Sequence, residues 1–318
     1  MTEAARVARL DPPTGTVRLV IDTDAANEVD DQFAVTYAAL SPECAHLEAV
    51  YAAPFQRTSA PDADATRPWL AGSPADGMAR SLEEIRSLAA ALGPSWPDAP
   101  IVAGSEAWLT DSAQPPLSPA TADLIARARH GDAPLYVVAI GAPTNVASAL
   151  RQAPDIIEDI VVVWLGGNGS WWSPAAAFNL EQDPVASRVL LDSGVALVHV
   201  PCLQVTEKLI TTPHEVEERV RGRGPIGDHL ADVFAGFDHP SLRTKPLWDL
   251  GPVTWVLHSD WCASHLVPSP VLSGGNDEPL TWGHKPDRHL IREIRDIDAD
   301  AVFADFFDRL PPSAGSEG

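Results

Sequence analysis

An acidic segment near the start of the chain carries the strongest chemical signal. It holds five acids within ten residues and reads Asp22-Thr23-Asp24-Ala25-Ala26-Asn27-Glu28-Val29-Asp30-Asp31. The apolar run Val17–Ile21 before it is typical of a buried strand. Acids so close together at a strand tip repel one another, and a hard cation such as calcium or magnesium would relieve that repulsion. A helix N-terminus would account for Asp30 and Asp31 but not for Asp22 and Asp24. The segment therefore predicts a divalent-metal site and leaves the metal open.

Two glycine-containing turns follow later predicted strands. Gly141-Ala142-Pro143-Thr144-Asn145 comes after Leu135–Ile140, and Gly166-Gly167-Asn168 comes after Ile160–Leu165. The first is explained as simply by an ordinary strand-to-helix turn in which Thr144 caps the helix. In the second, two glycines would let the backbone approach a ligand closely, although a tight turn explains them too.

Strand-like and helix-like segments alternate along most of the chain. The predicted strands are Val17–Ile21, Leu47–Ala52, Leu135–Ile140, Ile160–Leu165 and Ala196–Val200. This alternation predicts an α/β protein with an open, mostly parallel central sheet and helices on both faces, a Rossmann-like fold. Ligands bind such sheets beyond the carboxyl ends of the strands, where the acidic segment and both glycine turns lie.

The sequence contains no internal repeat and no composition break that would mark a linker between domains. We expect one domain over residues 17–310, preceded by a flexible segment, 1–16, and followed by a disordered tail, 311–318. Residues 54–81 and 263–288 are rich in Pro, Gly and Asp and predict long loops.

Charge and cysteine content exclude several function classes. The 318 residues include 22 basic and 44 acidic side chains, a formal net charge of −22, which argues against nucleic acid and anionic membranes as partners. Cys44, Cys202 and Cys262 form no C-x-x-C pair, as in a reduced compartment. No apolar run approaches the ~20 residues of a membrane helix, and residues 1–16 lack a signal-peptide core. We expect a cytoplasmic protein.

Local motifs exclude some competing sites. An EF-hand would need glycine at Asn27 and glutamate at Phe33, and no phosphate loop, G-x-S-x-G elbow or H-E-x-x-H pair is present.

From about Arg18 to Leu310 the chain resembles the inosine–uridine-preferring nucleoside hydrolases. Four elements carry the resemblance, in the family's order: Asp-Thr-Asp with Asp30-Asp31 after the first strand; Gly-Ala-Pro-Thr-Asn; Trp164-Leu165-Gly166-Gly167-Asn168 followed by Phe178-Asn179 and Asp183-Pro184; and Trp248-Asp249. The resemblance implies the nucleoside hydrolase fold. It also implies calcium-dependent hydrolysis of the N-glycosidic bond of a ribonucleoside or related N-riboside, giving free base and ribose.

The same resemblance assigns roles to single residues. The calcium ligands would be the carboxylates of Asp24, Asp31 and Asp249 and the backbone carbonyl of Thr144, with Asp22 supporting them from behind. Asp24 would also act as general base on the attacking water. The substrate-binding candidates are Asp30, Asn27, Asn168, Asn179, Trp248, Trp171 and Trp172. The family further implies a homo-oligomer, a dimer or a tetramer.

The chain departs from the family pattern at three points. The first motif is two residues longer than the usual form. Ala177 stands where the family has a glutamate that grips a ribose hydroxyl, and the sequence does not show that Glu181 compensates. Trp248 stands where many members have a histidine that protonates the leaving base; a tryptophan could stack on a base but cannot supply that proton. For Trp248, as for Trp171 and Trp172, core or lid packing is an equal alternative.

Two other functions stay open at this point. One is a catalytically weak or silent nucleoside or sugar binder. The other is a magnesium-dependent phosphohydrolase of the haloacid dehalogenase type, in which Asp22 would be the nucleophile. That class needs a later lysine and a second acidic pair, for which Lys208 and Lys245 offer no convincing context.

Overall fold

A computed structural model describes residues 1–58, 70–111, 117–237, 244–275 and 278–312. Its strands are β1 (Val17–Thr23), β2 (Ala45–Ala52), β3 (Ile101–Ala103), β4 (Leu135–Ala139), β5 (Ile160–Leu165), β6 (Ala196–Val200), β7 (Ile210–Thr211), β8 (Lys245–Pro246), β9 (Cys262–Pro268), β10 (Val271–Gly275), β11 (Glu278–Gly283) and β12 (Leu290–Ile297). Its α-helices are α1 (Glu3–Arg9), α2 (Asp30–Ala39), α3 (Pro74–Leu92), α4 (Pro119–Arg129), α5 (Thr144–Gln152), α6 (Phe178–Gln182), α7 (Pro184–Asp192), α8 (Pro213–Arg219), α9 (Gly224–Phe237), α10 (Leu250–Leu257) and α11 (Ala299–Arg309).

Eight of these strands form one sheet in the order β3-β2-β1-β4-β5-β6-β12-β9. Every neighbouring pair is parallel except β12 and β9. The strand order runs outward from β1 in one direction and from β4 in the other, so the topological switch point lies between these two strands. The acidic segment follows β1 and the first glycine turn follows β4, which places both at this switch point.

Helices cover both faces of the sheet, because successive residues of the central strands are buried on opposite faces. Neighbouring residues of one strand pack into different apolar clusters: Val137 and Val162 into one, Val138 and Val163 into the other. All six residues of β5 are buried, as expected for a β-branched strand with helices on each side. The predicted fold class is therefore confirmed. Within the described residues, no helix combines the length and the apolar character needed to cross a membrane.

The first sixteen residues differ from the flexible segment that the sequence predicts. Thr2 caps α1 with its side chain, and Leu10 at the end of this helix is fully buried. The Arg6 Nε donates a hydrogen bond of 2.7 Å to the backbone carbonyl of Gly194. Helix α1 is too short to show a clear apolar period, and its order comes from these contacts with distant residues.

The two predicted long loops are also corrected in part. Residues 263–288 contain most of the edge strand β9 and the hairpin of β10 and β11. These strands are partly exposed and interrupted by Pro and Gly, so they lack the continuous apolar run of a central strand. In the segment 54–81, α3 begins at Pro74, while residues 59–69 lie outside the described residues. Most of the predicted tail, 313–318, lies outside them too.

We predict that Leu10→Ala lowers the free energy of unfolding by about 2–5 kcal/mol, because it removes a fully buried side chain and leaves a cavity. Urea unfolding followed by circular dichroism measures this. Leu117→Ala is the control, since Leu117 is 65% exposed and should change stability by no more than about 0.5 kcal/mol. Equal, small effects of both substitutions would show that the N-terminal segment does not pack as described.

Candidate active site

Four aspartates meet beyond the carboxyl edge of the sheet. Asp24, Asp30, Asp31 and Asp249 are each at most 3% exposed. Carboxylate oxygens of Asp30, Asp31 and Asp249 lie within 4.8 Å of one another. Asp24 lines the same cavity, of about 290 Å³, and its buried Oδ2 has no hydrogen-bond partner within the part of the chain that the structure describes. Residues separated by more than 200 positions along the chain thus form one acidic centre.

Local structure explains how these side chains are positioned. After β1 the chain turns at once, with the Asn27 N–H bonded to the Asp24 carbonyl at 2.7 Å. Asp30 and Asp31 then occupy the first turn of α2, a helix buried along its entire length. Asp249 directly precedes α10, which packs against α2. Helix N-termini carry a partial positive charge, which offsets part of the repulsion among the acids.

Burial and mutual repulsion raise the pKa of these carboxyl groups. For Asp31, burial and the nearby Asp30 raise the pKa to about 8. Burial, then the charges of Asp31 and Asp30, raise the pKa of Asp24 well above its usual range, and Asp249 behaves in the same way. The cluster is therefore strained when all its members are ionised, and a bound cation would remove the strain.

The chemistry of the donors fits a hard divalent cation. All the donors are carboxylate oxygens, the ligands that Ca²⁺ and Mg²⁺ prefer. The closest trio differs from the predicted carboxylate set in one member, since it contains Asp30 rather than Asp24. The orphaned Oδ2 of Asp24 supplies a fourth oxygen in the same cavity.

The glycine turn after β4 lies against the acidic centre. A Cβ atom on Gly141 would lie 3.2 Å from the Asp24 carboxyl carbon, so only glycine allows this approach without a shift. Thr144 is the first residue of α5; it is buried, and its hydroxyl donates to Asp183 Oδ2 at 2.8 Å. Asp183 also caps α7, since its Oδ1 accepts a 2.9 Å hydrogen bond from the Ala186 N–H.

Asp22 lies behind the cluster, on β1 itself. Its Oδ1 accepts a 2.8 Å hydrogen bond from Asn145 Nδ2, its Oδ2 has no partner, and burial raises its pKa to about 7. The sequence analysis missed Asn145 as a site residue, although it ends the Gly-Ala-Pro-Thr-Asn motif. Asn145 also accepts from the Ser105 N–H at 2.8 Å, so one amide joins β1, α5 and the segment after β3.

Three asparagines predicted to bind substrate line the cavity. Asn179 donates to the carbonyls of Ile140 and Leu165 at 2.9 and 3.0 Å, and so holds the ends of β4 and β5 together. Asn168 donates to two backbone carbonyls in its own loop. Asn27 differs from both, since its buried Oδ1 accepts no hydrogen bond from any residue that the structure describes.

The three tryptophans predicted to bind the base do not all lie at the cavity. Trp248 lines the cavity. Trp171 and Trp172 are 37% and 41% exposed and are not among the described cavity-lining residues. The indole of Trp171 instead lies against the guanidinium of Arg295, 3.8 Å from the ring centroid, so its stacking on a base stays a prediction.

A cation pair at the edge of the cavity escaped the sequence analysis. Glu28, a cavity-lining residue, forms ion pairs with Arg57 and Lys245. Burial opposes ionisation of Glu28, but Lys245 and Arg57 outweigh it and lower its pKa. Lys245 also lies 3.7 Å from Asp30. Neither Arg57 nor Lys245 lies in a recognisable sequence motif, so their pairing with Glu28 is seen only in the folded structure.

A comparison with known proteins identifies the family of this chain. The sequence profile of the family described as inosine-uridine preferring nucleoside hydrolase matches residues 19–304. The chain belongs to this family. That membership replaces the haloacid dehalogenase alternative, whose magnesium-dependent chemistry would have used Asp22 as a nucleophile.

Individual relatives of this nucleoside hydrolase family member are distant. The pyrimidine-specific ribonucleoside hydrolase RihB of Shigella sonnei is 30% identical over 137 residues, 41% of this chain and 44% of that protein. The match therefore spans about half the length of the curated relatives. Two solved structures share the fold: a purine-preferring ribonucleoside hydrolase from Gardnerella vaginalis (TM-score 0.71, 20% identity, 92% and 98% of the two chains) and an inosine-guanosine nucleoside hydrolase (0.73, 18%, 92% and 98%).

At one position of the cavity wall this chain has a methyl group where the family resemblance implies a carboxylate. Ala177 lines the cavity. Glu181, the nearest acid in sequence, is exposed on α6 and is not among the described lining residues. The described acid that does line the cavity in addition to the four aspartates is Glu28.

We predict that the metal-free protein loses about 1–2 kcal/mol of stability between pH 6.5 and pH 8. Asp22 and Asp31 have folded-state pKa values of about 7 and 8, above the unfolded value of 3.8, so the folded state binds more protons and stability falls as pH rises. Urea unfolding in a chelator measures the slope, and Asp31→Asn should flatten it. A stability that rises over this window in both proteins would contradict the prediction.

Proposed function

We propose that this protein hydrolyses the N-glycosidic bond of a ribonucleoside or related N-riboside with the help of a bound calcium ion. The single observation that carries the proposal is the buried cluster of Asp24, Asp30, Asp31 and Asp249 lining one cavity. Family membership supports the reaction class. Calcium is favoured over magnesium because Ca²⁺ accepts several carboxylates at once, whereas Mg²⁺ usually keeps most of its waters and takes one or two.

The proposed metal ligands are Asp24, Asp31, Asp249 and the carbonyl of Thr144. A divalent cation held there supplies Lewis-acid activation of water. Asp24 acts as general base, because its Oδ2 has no hydrogen-bond partner among the described residues and is available for a proton. Asp22 holds the turn that carries Thr144 through its bond to Asn145.

The remaining cavity residues bind the sugar and stabilise its transition state. Asp30, Asn27 and Asn179 accept hydrogen bonds from ribose hydroxyls. Cleavage of a glycosidic bond passes through an oxocarbenium-like cation, and the surrounding carboxylates favour positive charge on the anomeric carbon. An acidic cavity thus serves both the metal and the reaction.

The leaving group receives little help from the protein. No histidine lies among the described residues that line the cavity, and Trp248 has no titratable proton to give to a leaving base. We therefore propose that the preferred substrates are N-ribosides whose base departs without protonation by the enzyme. The named relatives differ in base, since RihB is described as pyrimidine-specific and the Gardnerella enzyme as purine-preferring.

We predict that the calcium-loaded protein releases ribose from at least one member of a panel of purine and pyrimidine nucleosides. Activity should disappear after chelation and return with Ca²⁺. Asp249→Ala should abolish calcium binding in calorimetry and lower the rate by at least about 100-fold, since it removes a carboxylate ligand. Absence of ribose release across the panel, with calcium bound, would contradict the proposal.

The alternative is a nucleoside or sugar binder with little turnover. Ala177 and Trp248 favour it, because each replaces a polar side chain that the family uses on the substrate. Tight calorimetric binding of a nucleoside together with no product after prolonged incubation would support this alternative.

We predict opposite effects of Asn substitutions at Asp24 and Asp30. As a metal ligand and base, Asp24→Asn should weaken calcium binding by at least about 10-fold and abolish turnover. As a sugar ligand, Asp30→Asn should keep calcium affinity within about 3-fold while weakening nucleoside binding by at least about 10-fold, the cost of a charged hydrogen bond. Calorimetry with Ca²⁺ and then with nucleoside separates the two effects. Loss of calcium binding in Asp30→Asn alone would exchange the two roles.

Assembly and location are expected from the family resemblance and the composition. We propose a homo-dimer or tetramer in the cytoplasm that acts on a small-molecule substrate. Light scattering of the purified protein measures the oligomeric state.

A further inference from the structure

The cavity wall offers many hydrogen-bond acceptors and few donors. Its acids are acceptors when ionised, and the Oδ1 of Asn27 is an acceptor without a partner. The side-chain amide groups of Asn168 and Asn179 are already bonded to backbone carbonyls. Among the described lining residues, the side-chain donors that remain are the Asn27 amide group, the Trp248 indole and a weakly donating thiol. Such a wall suits a ligand rich in hydroxyl groups.

Glu28 is the one described acid of this wall that cations hold from two sides. Its Oε1 accepts from Arg57 Nη2 at 2.9 Å, and its Oε2 accepts from Lys245 Nζ. Arg57 follows β2, and Lys245 lies four residues before Asp249, so the carboxylate is fixed between two separate segments. A carboxylate has about four acceptor positions, and the two cations use two of them. Acceptor positions therefore remain for a ligand in the cavity.

The contacts of Arg57 show where along the wall Glu28 lies. The Arg57 guanidinium lies 4.9 Å from the ring centroid of Phe178, the neighbour of Ala177. Ala177 and Phe178 both line the cavity. Arg57 thus bridges Glu28 to the segment in which alanine leaves the wall without a polar side chain.

We propose that Glu28 determines substrate specificity by accepting a hydrogen bond from a hydroxyl group of the sugar. Arg57 and Lys245 are positioning residues that fix this carboxylate and balance its charge without themselves lining the cavity. The inference rests on the proposed function, namely that this cavity binds an N-riboside. It assigns the hydroxyl-binding task, which neither Ala177 nor the exposed Glu181 can perform, to a residue of the lengthened first motif.

The test compares wild type with Glu28→Gln, which keeps the shape and removes the charge. Calorimetry on the calcium-loaded proteins uses one ribonucleoside and its 2′-, 3′- and 5′-deoxy analogues. In wild type, loss of the hydroxyl bound by Glu28 should weaken binding about 10- to 100-fold. In Glu28→Gln the penalty for that same analogue should fall to within about 3-fold, while the penalties for the other two stay unchanged.

Glu48→Gln is the matched control. Glu48 is also a partly buried glutamate held by two cations, Arg18 at 2.6 Å and Arg127 at 3.4 Å, but it lies in the middle of β2 and is not among the described cavity-lining residues. It should give wild-type penalties for all three analogues. Glu28→Asp, which withdraws the carboxylate while keeping its charge, should behave like Glu28→Gln and provides a second variant if the first folds poorly.

The possible outcomes distinguish failure of the inference about Glu28 from failure of the proposed function. Equal weakening of all ligands by Glu28→Gln, or no change in any penalty, would overturn the inference, because a purely structural role predicts one of these. Wild type that binds nucleosides selectively but releases no ribose would overturn the proposed turnover and leave the inference standing. Wild type that binds no ribonucleoside would overturn both.

Discussion

The burial of like charges beyond the carboxyl edge of the sheet governs the organisation of this protein. Four aspartates at most 3% exposed share one cavity with Glu28, although burial of ionised carboxylates is costly without compensation. The chain supplies part of that compensation through Lys245, Arg57 and the N-termini of α2 and α10. Two cations against five acids leave a formal deficit of three, which a divalent ion reduces to one. The pKa values of Asp24, Asp31 and Asp249 are raised because the protein's own cations and helix N-termini do not fully offset burial and the repulsion among these carboxylates.

Strand order explains how so many distant residues reach this cavity. Because β1 and β4 lie side by side with the order reversing between them, their ends open a crevice. Asn179 then bonds to the carbonyls at the ends of β4 and β5. Asp249 arrives from the other side at the start of α10. The scaffold is rigid because alternate residues of each central strand are buried on opposite faces, which suits a site that must hold repelling groups in place.

The sequence predicts the parts of this arrangement that have a local signature. The central strands and the acidic segment follow from apolar runs and charge spacing. Helix α1 and strand β9 lack such signatures, since tertiary contacts and edge pairing stabilise them. The same reason hides Arg57 and Lys245, whose role appears only when segments far apart in sequence meet at Glu28. The sequence also places Asp24 rather than Asp30 with Asp31 and Asp249. Which carboxylates lie within 4.8 Å of one another depends on side-chain positions, which residue spacing does not determine.

The placement of the two cations has a consequence for the choice of ligand. A phosphate group would be attracted to Arg57 and Lys245, but Glu28 lies between these side chains and the cavity and occupies hydrogen-bond donors of both. A ligand entering the cavity therefore meets a carboxylate rather than a free cation. The repulsion that disfavours an anionic substrate favours a hydroxyl donor in the ground state and a positively charged sugar in the transition state. One electrostatic arrangement would thereby account for the proposed metal affinity, the proposed preference among sugars and the stabilisation of a positively charged transition state.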